Sequence, residues 1–195
     1  MLHHKNSALL RLVFILVTLF AFTGCSSLNK GKNVSFSSIE KGKSLREFVL
    51  SDEDPRLIIV QDAADIEALS QSEGFSDPSP IVKEKANKLS SLLRSVDYNQ
   101  NITVLVFRGM QNNDAFDISV SEVRFLGNKV FVYADFREPN GLFGWFLRTG
   151  QAEQLIAYDI HEIITIDKRA FSGQRTIFYL VNNSNIVYEE TIFIP

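Results

Sequence analysis

The sequence predicts an α+β fold: a mixed or antiparallel β-sandwich-like body of about six to eight strands with two helices. Three observations lead there. The chain of 195 residues is 45% hydrophobic and 22% charged, and it carries 16 Phe. That aromatic load suits sheet cores and excludes a disordered chain, which needs few aromatics and high net charge. Beyond Ile102 the pattern is dominated by short apolar runs and period-two alternation, the mark of strands. One stretch alone, from Ile81 to Val96, repeats with a strong helical period.

The N-terminus reads as an address. Met1 to Arg11 contains Lys5 and Arg11 and no acid; Leu12 to Phe22 is apolar apart from Thr18; Thr23, Gly24 and Cys25 follow. A basic start, a short apolar run and small residues describe a secretory signal. An uncleaved anchor would need about 20 apolar residues, and this run is shorter, with Arg11 blocking its upstream extension. Phe22-Thr23-Gly24-Cys25 resembles the lipobox of bacterial lipoproteins. The resemblance implies that the Cys25 thiol is joined to diacylglycerol and that cleavage falls just before it. Cys25 is the sole cysteine, so the alternative is a buried free thiol, a common core residue. A position directly after an apolar run and a glycine favours lipidation. With two or three acyl chains at about 0.8 kcal/mol per buried methylene, the hold would be stable. Ser26 follows the cysteine, with no Asp there to retain the protein at an inner membrane, so outer-membrane sorting is expected where the source has two membranes.

The expected organisation is therefore a signal peptide over 1–24, a lipidated flexible tether over 25–43, and a single globular α+β domain over 44–195. The tether is rich in Ser, Asn, Gly and Lys, a composition of solvated linkers. Removing Lys5 and Arg11 with the signal takes the formal net charge from −3 to about −5. That mild acidity supplies no basic footprint for nucleic acid.

Ser44 to Leu50 reads as a short helix or strand, and Leu57 to Val60 as a strand. Asp62 is a helix N-cap with Asp65 three residues on, and Ile66 and Leu69 face inward. Gly74, Pro78 and Pro80 break the chain. Val82, Ala86, Leu89, Leu93 and Val96 then form one stripe of an amphipathic helix, more often core packing than a partner face. Ile102 to Phe107 is apolar on both faces except at Thr103, so it is expected to be a central strand, ended by Arg108-Gly109. Phe116, Ile118 and Val120 alternate with polar residues until Val123 and Phe125 shift the phase, which places a bulge near Glu122. Gly127-Asn128 fits a two-residue hairpin turn, with Val130, Val132, Ala134 and Phe136 on the return. Tyr158 to Asp167 is another strand. Thr176 to Val181 and Ile186 to Ile194 form a closing hairpin across Asn182 to Asn185.

The order of an apolar strand, a short helix, Val96-Asp97-Tyr98, the strand Ile102 to Gly109, a hairpin and then Ala157 to Lys168 resembles the C-terminal domain of protease complex subunit PrcB proteins. The resemblance spans roughly residues 57 to 168. It implies a bacterial, often lipidated protein that accompanies a surface protease without being one. Where that family tends to have Thr-Gly-Gly-Tyr, this chain has Asn112-Asn113-Asp114-Ala115-Phe116.

Catalytic signals are sparse. His3 and His4 lie in the signal, leaving His161 between Ile160 and Glu162 in an expected strand. A Ser-His-Asp set would need a supporting nucleophile turn, and the chain has no Gly-x-Ser-x-Gly. His161 is therefore read as structural or solvent-facing. No HExxH, phosphate-binding loop or GxGxxG occurs. The acids Asp52-Glu53-Asp54 beside Pro55, and Glu189-Glu190, read as solvated surface, since calcium needs several converging oxygens. No catalytic residue, cofactor or metal is expected.

Pro139 to Gly150 crowds Leu142, Phe143, Trp145, Phe146 and Leu147 between glycines. One reading, the favoured one, is a loop folded back to plug the end of the core, because large exposed apolar patches are uncommon. The other is an exposed contact, with Leu142, Phe143, Trp145 and Phe146 as the partner-binding candidates. The function expected is thus a non-catalytic envelope lipoprotein, held to the membrane through Cys25, that binds or assists a protein, with a protease as the implied partner. The alternative is a lipid-tethered binder of a small ligand or glycan using the aromatic loop.

Overall fold

The computed structural model describes residues 31–45, 54–71, 80–111, 115–139, 158–171 and 173–195. Lys32–Pro195 form one compact unit. Cys25 and the candidates Leu142, Phe143, Trp145 and Phe146 lie outside the described residues.

Nine strands and two α-helices are present among the described residues. The strands are β1 (Lys32–Asn33), β2 (Phe36–Leu45), β3 (Arg56–Val60), β4 (Asn101–Gln111), β5 (Asp117–Leu126), β6 (Lys129–Arg137), β7 (Tyr158–Asp167), β8 (Gln174–Asn182) and β9 (Asn185–Ile194); the helices are α1 (Ala63–Ser70) and α2 (Pro80–Arg94). One sheet has the order β1-β5-β6-β8-β9, the other β2-β7-β4-β3. All pairings are antiparallel except β6 with β8. The α+β class and the sandwich-like, mixed sheet content expected from the sequence are thus present.

Two corrections concern the chain before residue 46. The tether expected over 25–43 is strand for much of its second half: β1 pairs with β5 and the ten residues of β2 pair along β7. These two strands raise the count above the expected range, and the compact unit begins at Lys32, before the expected boundary at 44. The physical reason is cross-strand context. Ser and Lys are poor strand formers alone, but here Phe36 and Ile39 pack into the two cores and β7 supplies the hydrogen-bonding partner. A third correction is local. Arg108-Gly109 does not end β4; it forms a bulge, after which pairing with β7 resumes at Met110. Gly109 has a φ of 89°, which glycine adopts without steric cost.

Core placement follows from strand parity. Ile102, Val104 and Val106 of β4 and Ile164 and Ile166 of β7 face the five-stranded sheet and meet Ile118, Val130, Val132, Phe178 and Leu180. Leu105, Phe107 and Ile163 point the other way and meet Ile66, Ala86, Leu89 and Leu93 of the helices. β4 is consequently buried on both faces, as a run apolar at every position but Thr103 demands. The layers run helices, four-stranded sheet, five-stranded sheet. Asp62 caps α1, accepting from the backbone N–H of Ala64 and Asp65, while Asp65 accepts from Gln61 N–H at 2.7 Å. Beneath α2, Tyr98 Oη and Thr103 Oγ1 meet at 3.3 Å, which satisfies the one hydroxyl in the β4 run. The bulge expected near Glu122 lies between Val120 and Glu122.

Candidate binding surface

The outer face of the five-stranded sheet is built by the residues that alternate with its core set. Phe131 and Tyr133 of β6, Ile177, Tyr179 and Val181 of β8, and Ile186 and Phe193 of β9 lie there, in register across the parallel β6–β8 pair and the antiparallel β8–β9 pair. Both helices lie on the other side of the molecule, over the four-stranded sheet; on this face Tyr179 and Val181 are buried among their neighbours, Phe131 and Tyr133 are partly exposed, and Ile186 and Phe193 are exposed.

The aromatic rings form a column. Tyr179 stacks on Phe131 at 5.1 Å between centroids, and Phe131 stacks on Tyr133 at 6.5 Å. Cations close both ends: the Lys129 ammonium lies 5.7 Å from the Tyr179 centroid and the Arg124 guanidinium 5.0 Å from that of Tyr133. Arg124 also pairs with Glu122 at 2.6 Å, which holds the carboxyl below its usual range and raises the guanidinium above its own. The ring faces are therefore engaged with one another and with cations. Beside the column runs an open groove of about 630 Å³, lined by Ser121, Tyr133, Asp135, Val181, Asn183 and Ile186 among others. Asn183 and Ser184, at the β8–β9 turn, have φ of 49° and 65°, the backbone of a tight two-residue hairpin turn. The most exposed large apolar side chains of the described residues are Phe193 at 57% and Ile186 at 55%.

Two buried charges brace this sheet from beneath. Glu162, on the inner face of β7, accepts from Val120 N–H at 2.6 Å, so a carboxylate fills the vacancy that the β5 bulge leaves in the ladder. Arg108 leaves the β4 bulge and donates to the carbonyls of Asp117 and Arg137, which pair across β5 and β6. Its guanidinium lies 4.7 Å from the Phe116 ring centroid and 5.5 Å from that of Phe136. Burial pulls it below its ordinary value, opposed by Glu138 and Asp117.

His161 lies on the helix-side face of β7, partly buried, with its ring 5.9 Å from Phe107 and directly across from Gly42. A Cβ at position 42 would stand 3.0 Å from His161 Nε2. Gly42 thus makes room for the imidazole, which is a packed residue in a transverse row with Phe107 and Arg56. No group of three or more His, Cys, Asp or Glu converges among the described residues. Glu189 and Glu190 lie together on β9, and Asp52 and Glu53 lie outside the described residues.

None of Phe131, Tyr133, Tyr179, Ile186 and Phe193 was expected from the sequence to form a contact surface. A signal was present: Val130 to Ala134 and Ile177 to Val181 are apolar at every position, as a strand covered on both faces would be. No family model, curated protein or solved structure matches the chain. Among the described residues no helix is long and apolar enough to cross a membrane.

Proposed function

We propose that this chain is a lipid-anchored protein of the cell envelope, held through Cys25, that binds a protein partner without catalysing a reaction. The observation that carries the binding role is the outer face of the five-stranded sheet, where an aromatic column lies beside exposed Ile186 and where Phe193, further along β9 beside Arg175, is also exposed. Exposed aromatic and aliphatic side chains bordered by charge are the composition of protein contact surfaces. A surface or secreted protease is the partner class that the PrcB-like order of elements implies, and Leu142, Phe143, Trp145 and Phe146 remain candidates for a second contact. The anchor rests on the Phe22-Thr23-Gly24-Cys25 stretch, and Ser26 favours an outer membrane where there are two.

The groove beside Tyr133, with Asp135, Asn183 and Ser184 on its rim, favours a glycan or small ligand as the second reading. The ring faces a sugar would stack on are occupied by one another and by Arg124 and Lys129, which puts the protein partner first. Photo-crosslinking residues placed at Ile186 and Phe193 in the lipidated chain test the role, with exposed Glu84 of α2 as control. Discrete adducts from the two sheet positions and none from the control are expected. Equal or absent adducts at all three would end the proposal. Palmitate labelling of the unaltered chain and of Cys25→Ser tests the anchor: label in the first alone is expected, and no label in either removes it.

A further inference from the structure

The two flanks of the sandwich differ. On one, the chain passes from β1 directly into β2, joining the two sheets, and Lys41 bridges to Asp117 at 3.2 Å. On the other, β3 and β9 lie near each other as the last strands of their sheets. β3 is five residues long, while β9 has ten and pairs, among the described residues, with β8 alone. A bulge at Val187 disturbs only its start, and from Tyr188 to Ile194 the register is unbroken over seven residues. Alternate N–H and C=O groups of such a strand point away from its sheet, ready for a further strand. An open groove of about 530 Å³ lies along this flank, between Asp54, Pro55 and Arg56 and the Val187–Tyr188 bulge. The other long edge, β2, is broken by a bulge near Ile39, and Glu40 and Lys41 are tied to Lys88 and Asp117.

We infer that β9 receives an extended segment of the protein partner as an added antiparallel strand, with Lys or Arg at its centre and apolar residues toward its ends. This rests on the proposed binding role and assigns its contact. Glu189 and Glu190 occupy the middle of β9 on opposite faces, Glu189 exposed on the outer face and Glu190 accepting from Tyr188 Oη at 2.8 Å, with Ile186 and Phe193 exposed on either side. A second copy of the chain is a poor occupant, because antiparallel self-pairing centred there sets acid against acid, and like charges directly opposite are destabilising. A basic strand converts that repulsion into attraction while its main chain supplies the affinity.

The test uses the full chain in detergent and a short capped peptide of alternating valine and lysine. Two controls accompany it: the same peptide with glutamate for lysine, and the lysine peptide N-methylated along one edge. The lysine peptide is expected to bind and to slow amide exchange along β9. Both controls should bind at least about tenfold more weakly, a difference within reach of a few cross-strand charge pairs or of lost main-chain bonds. Glu189→Lys, at an exposed position, is expected to keep the melting temperature and to invert the charge preference. Undiminished binding of the N-methylated peptide, slowed exchange confined to other strands, or concentration-dependent dimers of the chain alone would overturn the inference. Crosslinks from Ile186 and Phe193 together with no peptide binding would overturn it while leaving the proposed role intact; absent crosslinks remove the role itself.

Discussion

On the outer face of the four-stranded sheet, Leu105, Ile163 and Val60 lie beneath Ile66, Leu89 and Leu93 of the helices. On the outer face of the five-stranded sheet, Phe131, Tyr133 and Ile186 have no described element above them. The first face is apolar and is satisfied within the fold; the second mixes Phe131, Tyr133 and Ile186 with Glu122, Arg124, Lys129 and Asp135, and its rings are satisfied by stacking and two cations. The contrast teaches where an apolar side chain contributes to stability and where it does not. Removing a side chain from a covered face leaves a cavity, whereas truncating an open face removes contacts that water replaces.

Calorimetric unfolding can break that contrast. Phe178→Ala, at 0% exposure between the sheets, should cost about 3–5 kcal/mol. Tyr133→Ala on the open face should cost less than about 1 kcal/mol; a loss equal to that of Phe178→Ala would mean the open face is structural. Between them stands Arg108→Met, which strips the Asp117 and Arg137 carbonyls of a donor and should cost about 1–3 kcal/mol, the penalty of stranding buried polar groups. Glu162→Gln, which keeps an acceptor for Val120 N–H, should be milder than Glu162→Leu, and the reverse order would remove the bulge-bracing role.

Two smaller effects sharpen the picture. Thr176 is fully buried in β8, and among the described residues its Oγ1 has no hydrogen-bond partner. Thr176→Val keeps the shape and deletes the orphan, so a gain of about 1 kcal/mol is expected in chemical denaturation. At the surface, the Arg169 side chain and backbone N–H hold the Asp167 carboxyl down to about 2 from an ordinary 3.8. A depressed carboxylate favours the folded state above its unfolded value, and that contribution fades as pH falls through about 2. A proton titration of Arg169→Ala should return Asp167 toward 3.8; an unmoved midpoint would exclude the pair as its cause.

The legible parts of the fold were those with a single-residue or periodic signature. Asp62 announced the start of α1, the phase shift at Val123 announced the bulge, and the ends of β7 fall at Tyr158 and Asp167 as read. β2 was not legible, because its Ser, Lys and Gly residues become a strand only against β7, more than a hundred residues later in the chain. The candidate surface was hidden for a related reason. An all-apolar run such as Val130 to Ala134 says that neither face is polar, and it does not say whether the second face is covered by this chain or by something else. His161 was read as structural or solvent-facing, and it is packed beside Phe107; the gap at Gly42 that admits its ring is a cross-strand relation with no local trace.

The pairing of early strands with late ones has a consequence for biogenesis. Lys32 meets Phe125, Ser37 meets Thr165, and the inter-sheet core includes Ile194. Neither sheet can close on what a ribosome has delivered halfway through the chain, and contacts so distant in sequence make slow folders. Such a polypeptide completes its four-stranded sheet only once β7 has been made, and its five-stranded sheet only with β9, so most of its length must exist before either layer is whole.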